Sequence, residues 1–373
     1  MSDAYILAAV RTPIGRYGGG LAPVRADDLA AKAIAGLVQQ TGLEAELVDD
    51  VFFGCANQAG EDNRNVARMA SMLAGFPYSV PGVTVNRLCG SGLEAVIQAG
   101  RALRAGDGEV FIAGGVENMT RAPYSFPKYG RTPRSGNVTG YDTALGWRYP
   151  NPEMEKRFPL EAMGVTAENL VDKYNISREA QDAFALQSQM RAVAAIDAGH
   201  FKDEIIPVDI VGRKGAITRI EEDEGPRRDS SLEKLAKLRA VFKKGGSVTA
   251  GNSSTLNDGS CALLMATKEG ARKLGIEPIA RLISNAVVGV DPTIMGIGPA
   301  PASIKALKRA GLGFSEMKQI ELNEAFAAQS LAVLKELGIG DENVNPYGGA
   351  IALGHPLGCS GARVLTTLIH GLK

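Results

Sequence analysis

Asn86-Arg-Leu-Cys-Gly-Ser-Gly-Leu-Glu-Ala and Gly354-His-Pro-Leu-Gly-Cys-Ser-Gly-Ala-Arg are two versions of one pattern. In each, a glycine-rich turn opens a stretch with helical spacing. A second pair sits upstream of them. Asp28-Leu-Ala-Ala-Lys-Ala-Ile followed by Val51-Phe-Phe-Gly-Cys-Ala-Asn-Gln parallels Pro301-Ala-Ser-Ile-Lys-Ala-Leu followed by Ile320-Glu-Leu-Asn-Glu-Ala-Phe. Self-similarity of this kind indicates duplicated halves and a pseudo-twofold axis. Equivalent turns meet near such an axis, so Cys89 and His355 are expected to share one site.

Working outward, short β-favouring runs alternate with amphipathic helical spacing. Strands are expected at Tyr5–Val10, Val51–Phe53, Gly82–Asn86 and Val110–Ala113, the last closed by Gly114-Gly115. Helices are expected at Asp28–Gln40 and after Gly92. The order β-α-β-α-β implies a mostly parallel sheet with helices on its faces. Residues 121–247 change character and read as an inserted loop domain. It has early prolines (Pro123, Pro127, Pro150), a helix capped by Ser177, an acidic run Glu221–Glu224 and a basic stretch Arg227–Lys244. The pattern resumes with strands at Cys261–Ala266, Ile279–Ile283 and Ile320–Leu322 and helices at Pro301–Ala310 and Ala325–Leu337. The domains are therefore expected as an N-terminal half at 1–120 completed by 248–269, the loop domain at 121–247, and a C-terminal half at 270–373.

Composition excludes several classes. The 373 residues carry 41 Lys plus Arg and 41 Asp plus Glu, so net charge is zero. That argues against a basic face for nucleic acid or anionic membrane. No apolar run approaches the ~18 residues of a membrane span. The opening Met1-Ser2-Asp3-Ala4 has no secretory pattern. Four separated cysteines form neither a disulfide framework nor a zinc ribbon and fit a reducing cytoplasm. Dinucleotide and P-loop glycine motifs are absent.

Cys89 is the first candidate for chemistry. A lone cysteine is commonly a small buried hydrophobe. Here it precedes Gly90-Ser91-Gly92 at the start of a helix, where free N–H groups favour a thiolate. His355 sits on the matching turn, stiffened by Pro356, and a thiol nucleophile wants a base within reach. His200 and His370 read as bland. Asn323 is either a helix N-cap or an amide that orients a water or oxyanion at the axis. The basic stretch from Arg227 is either a solvated helix face or a contact for a phosphorylated ligand. Ala250-Gly-Asn-Ser-Ser254 is a small-residue loop past which a thin ligand could run.

Asn86-Arg-Leu-Cys-Gly-Ser-Gly, Val248-Thr-Ala-Gly-Asn-Ser-Ser, Ile320-Glu-Leu-Asn-Glu-Ala-Phe and Asn345-Pro-Tyr-Gly-Gly-Ala-Ile-Ala-Leu-Gly-His-Pro-Leu-Gly occur in that order. Together they make the whole chain resemble the thiolase family of acetyl-CoA acyltransferases. The resemblance implies an α/β/α/β/α sandwich of two duplicated β/α halves with an inserted loop domain. It implies Cys89 as acyl-accepting nucleophile, His355 as its activator and oxyanion-hole donor, and Asn323 as holder of that hole's water. It implies contacts to coenzyme A at Arg227 and Ser254 and an acyl-pocket neighbour at Met163. Ala162 stands where many members carry histidine. Coenzyme A is then a substrate, and no cofactor is expected. The implied partners are acyl-CoA and CoA, with assembly as a homodimer or homotetramer.

The implied reaction is reversible thiolytic cleavage of a 3-oxoacyl-CoA to acetyl-CoA and a shortened acyl-CoA. Gly15-Arg-Tyr-Gly-Gly, Gly60-Glu-Asp-Asn-Arg-Asn-Val-Ala-Arg-Met-Ala and Asp142-Thr-Ala-Leu-Gly-Trp-Arg-Tyr look similar to the subgroup acting on 3-oxoadipyl-CoA in aromatic breakdown. General fatty-acid thiolase activity is the other reading of the substrate. Alternatives are an acetyl-CoA C-acetyltransferase working in the condensing direction, a decarboxylating ketoacyl synthase, and a protein that only binds CoA. The last follows from one departure. The family's Cys-x-Gly-Gly-Gly-like segment is not met before Lys373, which leads to the expectation of an incomplete second half and an impaired second half-reaction.

Overall fold

The computed structural model describes residues 3–128 and 135–373. Its main sheet uses β1 (Tyr5–Arg11), β2 (Asp50–Gly54), β3 (Val83–Val85), β4 (Val110–Asn118), β5 (Asn257–Ala266) and β6 (Ala280–Arg281), in the order β6-β1-β5-β4-β2-β3. Gly15–Arg16 adds a short seventh strand against β5. β2 runs parallel to β3 and β4, whereas β5 is antiparallel to both β1 and β4. The sheet is thus mixed rather than mostly parallel. The difference arises because β5, reached only after the long insertion, enters between two strands of the first half.

Period-two alternation divides the sheet into two apolar faces. Ile112 and Leu264 pack with Leu29, Ile34 and Leu37 of α1 (Ala26–Thr41) and with Val66 and Ala70 of α2 (Val66–Leu73). Phe111, Leu263 and Met265 point the other way. They meet Val96 and Leu103 of α3 (Ser91–Ala105), and Ala362 and Ile369 of the last helix, Leu357–Gly371. A further cluster of Leu170, Phe184, Ile297, Leu322, Val333 and Ile351 joins the insertion to the second half. It involves α4 (Met163–Tyr174), α5 (Arg178–Asp197), α6 (Ala327–Leu337) and α7 (Ala350–Leu353). The final helix is therefore α8. No helix among the described residues is long and apolar enough to cross a membrane.

Three local outcomes bear on the site. First, β4 does not stop at Gly114-Gly115 but continues to Asn118. A Cβ at Gly114 would strike the Cys261 carbonyl, and one at Gly115 the Gly358 carbonyl. The glycines admit close backbone approach instead of ending the strand. Second, α3 and α8 cross through glycines. A Cβ on Gly92 would lie 2.7 Å from the Ala362 nitrogen, and one on Gly361 would strike Leu93. The two turns of the repeat are thereby pressed together.

Third, the second half builds no sheet of its own among the described residues. Residues 279–283, expected to belong there, pair with β1 through Ala280–Arg281. Ile320–Leu322 makes a single parallel bridge, Ile320 to Val344. That bridge ends for a local reason. Asn345 side-chain Oδ1 accepts from Leu322 N–H, and its Nδ2 donates to Leu322 C=O, both at 2.8 Å. One side chain takes the place of the next ladder residue, so the backbone pairing ends there.

Within the insertion, Ser177 caps α5 by accepting from Ala180 N–H at 3.1 Å. The acidic run serves as a latch to the first half. Asp223 and Glu204 hold buried Arg11, and Glu224 accepts from the N–H groups of Arg16 and Gly20. Much of the basic stretch is internally balanced, with Arg228 on Asp197, Lys234 on Asp229, Lys237 on Glu233 and Lys243 on Asp172.

Candidate active site

The Cys89 turn is held by its own polar side chains. Asn86 Oδ1 accepts from Leu88 N–H at 2.9 Å, while its Nδ2 donates to Ala56 C=O at 2.9 Å. Ser91 Oγ accepts from Arg87 N–H at 2.8 Å and donates to Leu88 C=O at 2.6 Å. These bonds over-determine Leu88, which sits at φ 47°, a conformation unfavourable for a branched residue by roughly 1–2 kcal/mol. Cys89 follows at the foot of α3, half-buried and free. Burial pushes its thiol up to about 11, with the Glu117 charge acting in the same direction and the residue's own N–H opposing. The resting group is a thiol. Burial thus works against the thiolate that the helix start was expected to favour.

The His355 turn is equally constrained. Gly354, at φ 110°, lies against the Asn257 side chain, and Asn257 Oδ1 accepts from His355 N–H at 2.9 Å. His355 is buried, and desolvation, with a smaller contribution from the Arg363 charge, lowers it to about 4. The imidazole is therefore neutral at physiological pH. Its Nδ1 lies 2.6 Å from Ser360 Oγ, which donates its single proton to Pro356 C=O at 2.9 Å. Assigned from that network, the ring proton sits on Nδ1 and Nε2 carries a lone pair. Nε2 faces Asn323 Nδ2 at 3.4 Å.

Asn323 is not an N-cap: α6 begins four residues later, with Phe326 in that position. Its Oδ1 is buried without a hydrogen-bond partner among the described residues. A buried carbonyl oxygen in that state calls for a water or ligand donor. The loop is fixed from beneath by Glu324, which accepts from Ser188 Oγ and Asn345 Nδ2, each at 2.7 Å.

Sequence reasoning missed Glu117. Fully buried on β4, it accepts from Ala56 N–H at 2.9 Å, Asn57 N–H at 3.1 Å and Gly358 N–H at 2.8 Å. The first two belong to the loop that Asn86 grips, and the third to the first turn of α8. One carboxyl therefore ties the Cys89 turn to the His355 turn. Desolvation raises it to about 7 against those three donors. The available signal was a carboxylate inside the apolar run Val110-Phe-Ile-Ala-Gly-Gly-Val-Glu-Asn. Ser360 and Asn257 were missed as well.

The structure brings His355 and Asn323 together directly. It brings Cys89 to the neighbouring turn, although among the described residues no hydrogen bond joins its sulfur to His355. Ser254 lies beside the Asn323 loop, its N–H donating to Ala325 C=O at 2.9 Å. Arg227 is exposed, its N–H anchored to Gln189 Oε1 at 2.7 Å; Gln189 in turn reaches Ile351 of α7. Met163 opens α4 and is exposed. Among the described residues no hydrogen bond joins Met163 or Arg227 to the Cys89 or His355 turn. His370, expected to be bland, engages Ala9 C=O at 2.9 Å, and His200, expected likewise, lies against Tyr347.

Comparison with known proteins gives the same outline. Residues 4–269 match the family description "Thiolase, N-terminal domain" and residues 276–373 match "Thiolase, C-terminal domain". The 3-oxoadipyl-CoA/3-oxo-5,6-dehydrosuberyl-CoA thiolase of Escherichia coli K12 is 52% identical over 375 residues, covering 100% of this chain and 93% of that protein. The beta-ketoadipyl-CoA thiolase of Pseudomonas aeruginosa is 54% identical over 374 residues, with the same two shares. The crystal structure of the Bacillus anthracis acetyl-CoA acetyltransferase superposes with a TM-score of 0.93 at 43% identity, over 100% of this chain and 92% of that one. With both halves matched and the fold shared throughout, the chain belongs to the thiolase family.

Proposed function

We propose that this acyltransferase cleaves a short 3-oxoacyl-CoA with CoA, with 3-oxoadipyl-CoA as its substrate, through an acyl-enzyme on Cys89. The observation that carries the reading is the His355 Nε2 lone pair beside the Asn323 amide, on a turn packed against the Cys89 turn. The substrate assignment is supported by the relatives named for 3-oxoadipyl-CoA and beta-ketoadipyl-CoA. Ser254 and Arg227 are the proposed contacts for coenzyme A, and Met163 flanks the acyl group.

His355 Nε2 takes the Cys89 thiol proton, and the sulfur attacks the 3-keto carbon. The developing oxyanion meets the new Nε2–H and a water held by Asn323. The C2–C3 bond breaks, and the acetyl-CoA enolate takes the proton from His355. Succinyl remains on Cys89 when the substrate is 3-oxoadipyl-CoA. CoA then attacks this thioester, its thiol proton passing through His355 back to Cys89 sulfur. Atoms and protons balance with one base, and no cofactor enters. A fixed base and oxyanion donors each contribute on the order of 10²-fold or more. Run backwards, the same steps condense two thioesters. Exposed Val83, in edge strand β3, and exposed Leu88, just beyond it, support assembly as a homodimer or homotetramer, and the four free cysteines fit the cytoplasm.

The test is acylation. Incubation with acetyl-CoA or succinyl-CoA, followed by peptide mapping, should place the acyl group on Cys89 and nowhere in Cys89→Ser. Absence of any adduct on the native chain would sink the reading.

A further inference from the structure

We propose that Arg148 recognises the free carboxylate at the far end of the acyl group on Cys89, and so selects dicarboxylic 3-oxoacyl thioesters. This rests on the acyl-transfer reading above and names its substrate class.

Arg148 lies in the Asp142–Tyr149 stretch and is half-buried. Its Nη2 donates to Asn57 C=O at 2.9 Å, and its Nη1 lies 3.4 Å from Asn57 Oδ1. Among the described residues no carboxylate lies within ion-pair distance of it. Arg11, Arg25, Arg87, Arg121 and Arg178 each hold an acid, whereas Arg68, Arg104 and Arg191, also half-buried, rest like Arg148 on oxygens that carry no charge, in their case backbone carbonyls far from the Asn57 loop. A half-buried guanidinium resting on neutral oxygens keeps its charge uncompensated, with donors left over in a fork that fits a carboxylate.

Its place in the fold matches that use. Asn57 follows Ala56, whose carbonyl takes Asn86 Nδ2, and Asn86 Oδ1 takes the N–H of Leu88, next to Cys89. On the other side, Trp147 Nε1 donates to Glu161 C=O at 2.9 Å, two residues before Met163. Trp147 and Arg148 together therefore bridge the loop that Asn86 grips and the segment leading into α4. Two acids touch this loop: Asp62 accepts from Cys55 Sγ at 3.8 Å, and Glu117 is occupied by three backbone donors and aimed at Gly358.

Chemistry sets the contrast. 3-Oxoadipyl-CoA leaves succinyl on Cys89, whereas 3-oxohexanoyl-CoA leaves butyryl, of the same chain length with a methyl in place of the carboxylate. A carboxylate entering a partly buried site without a partner is disfavoured, and a guanidinium reverses that preference. In the half-reaction with succinyl-CoA, the Cys89 sulfur–carbonyl bond forms and the bond from that carbonyl to CoA sulfur breaks. The Cys89 proton leaves on CoA by way of His355.

The experiment measures initial rates of Cys89 acylation on the full chain by intact-protein mass spectrometry, with succinyl-CoA and butyryl-CoA as donors and Cys89→Ser as blank. The native chain should prefer succinyl-CoA. Arg148→Met should lower succinyl transfer on the order of 10- to 100-fold, the loss of a charge-assisted hydrogen bond, and leave butyryl transfer unchanged. Arg148→Lys, keeping charge without the fork, should fall between. Equal losses with both donors in both variants would show a packing role and overturn the proposal, as would a native chain indifferent to the carboxylate; in either case acyl transfer itself stands. No acylation by either donor overturns the acyl-transfer reading, and this proposal with it.

Discussion

Asn323 Nδ2 stands 3.4 Å from His355 Nε2, while Asn323 Oδ1 is buried with no partner among the described residues. The amide thus braces the proposed base with one end and presents a buried acceptor oxygen with the other. Asn323→Ala should slow Cys89 acylation by roughly 10²-fold, the range for one oxyanion-hole donor, with little change in melting temperature. Stopped-flow acylation alongside thermal denaturation separates the two effects. An unchanged rate would remove Asn323 from the mechanism.

Ser360 decides which nitrogen of His355 carries the proton, because its own proton is committed to Pro356 C=O. In Ser360→Ala the ring loses that acceptor and populates the wrong tautomer. The expected result is a loss of on the order of 10-fold or more in acylation rate. Ser360→Thr, which keeps a hydroxyl, should recover part of it.

The pair of neutral groups predicts a distinctive pH profile. The Cys89 thiol is pushed up to about 11, and His355 is lowered to about 4. Between those limits, proton transfer within the pair neither takes up nor releases a proton. Iodoacetamide labelling of native Cys89 should therefore be nearly flat from pH 6 to 9. In His355→Ala it should be slower and rise by roughly tenfold per pH unit toward 11, following free thiolate. Equal slopes for the two proteins would mean that His355 is not the base.

Glu117 makes stability depend on pH in the direction opposite to an ordinary paired carboxylate. Its carboxyl is raised from 4.5 to about 7 by burial. Between those values the folded chain holds a proton that the unfolded chain has released. Stability from this group is present below 4.5 and is lost as pH rises through about 7, by on the order of 3 kcal/mol. His355, lowered to about 4 from 6.5, acts with the other sign: its stability is present above 6.5 and is lost as pH falls toward 4. The difference between native and Glu117→Gln melting curves, taken from pH 4.5 to 8, isolates the carboxyl. The native protein should lose stability relative to the variant across that window, and parallel curves would contradict the assignment.

Gly92→Ala should be costly although alanine favours helices. The new Cβ would lie 2.7 Å from the Ala362 backbone nitrogen, which cannot yield as a flexible side chain would. Overpacking of this kind typically costs about 1–3 kcal/mol. The same displacement moves α3 against α8, so acylation should fall along with the melting temperature. Retained rate and stability would show that the helices separate freely.

The linear chain already determined a good deal. The duplicated turns, the glycines at their helix starts and the polar residues beside them mark Cys89 and His355 without coordinates. The reason is that helix starts and tight turns are local, written within a few residues. β1, α1 and α5 were legible for the same reason, down to the Ser177 cap. What crosses between halves was not. That β5 enters antiparallel between β1 and β4 depends on where a strand returns after the insertion, which local spacing does not encode. That Gly114 and Gly115 continue β4 depends on the carbonyls of Cys261 and Gly358 approaching from elsewhere. The protonation states were decided only in the folded molecule. Cys89 remains a thiol, His355 stays uncharged and Glu117 becomes the clamp between turns because desolvation and hydrogen-bond donors from distant segments set those energies, and both exist only once the chain has packed.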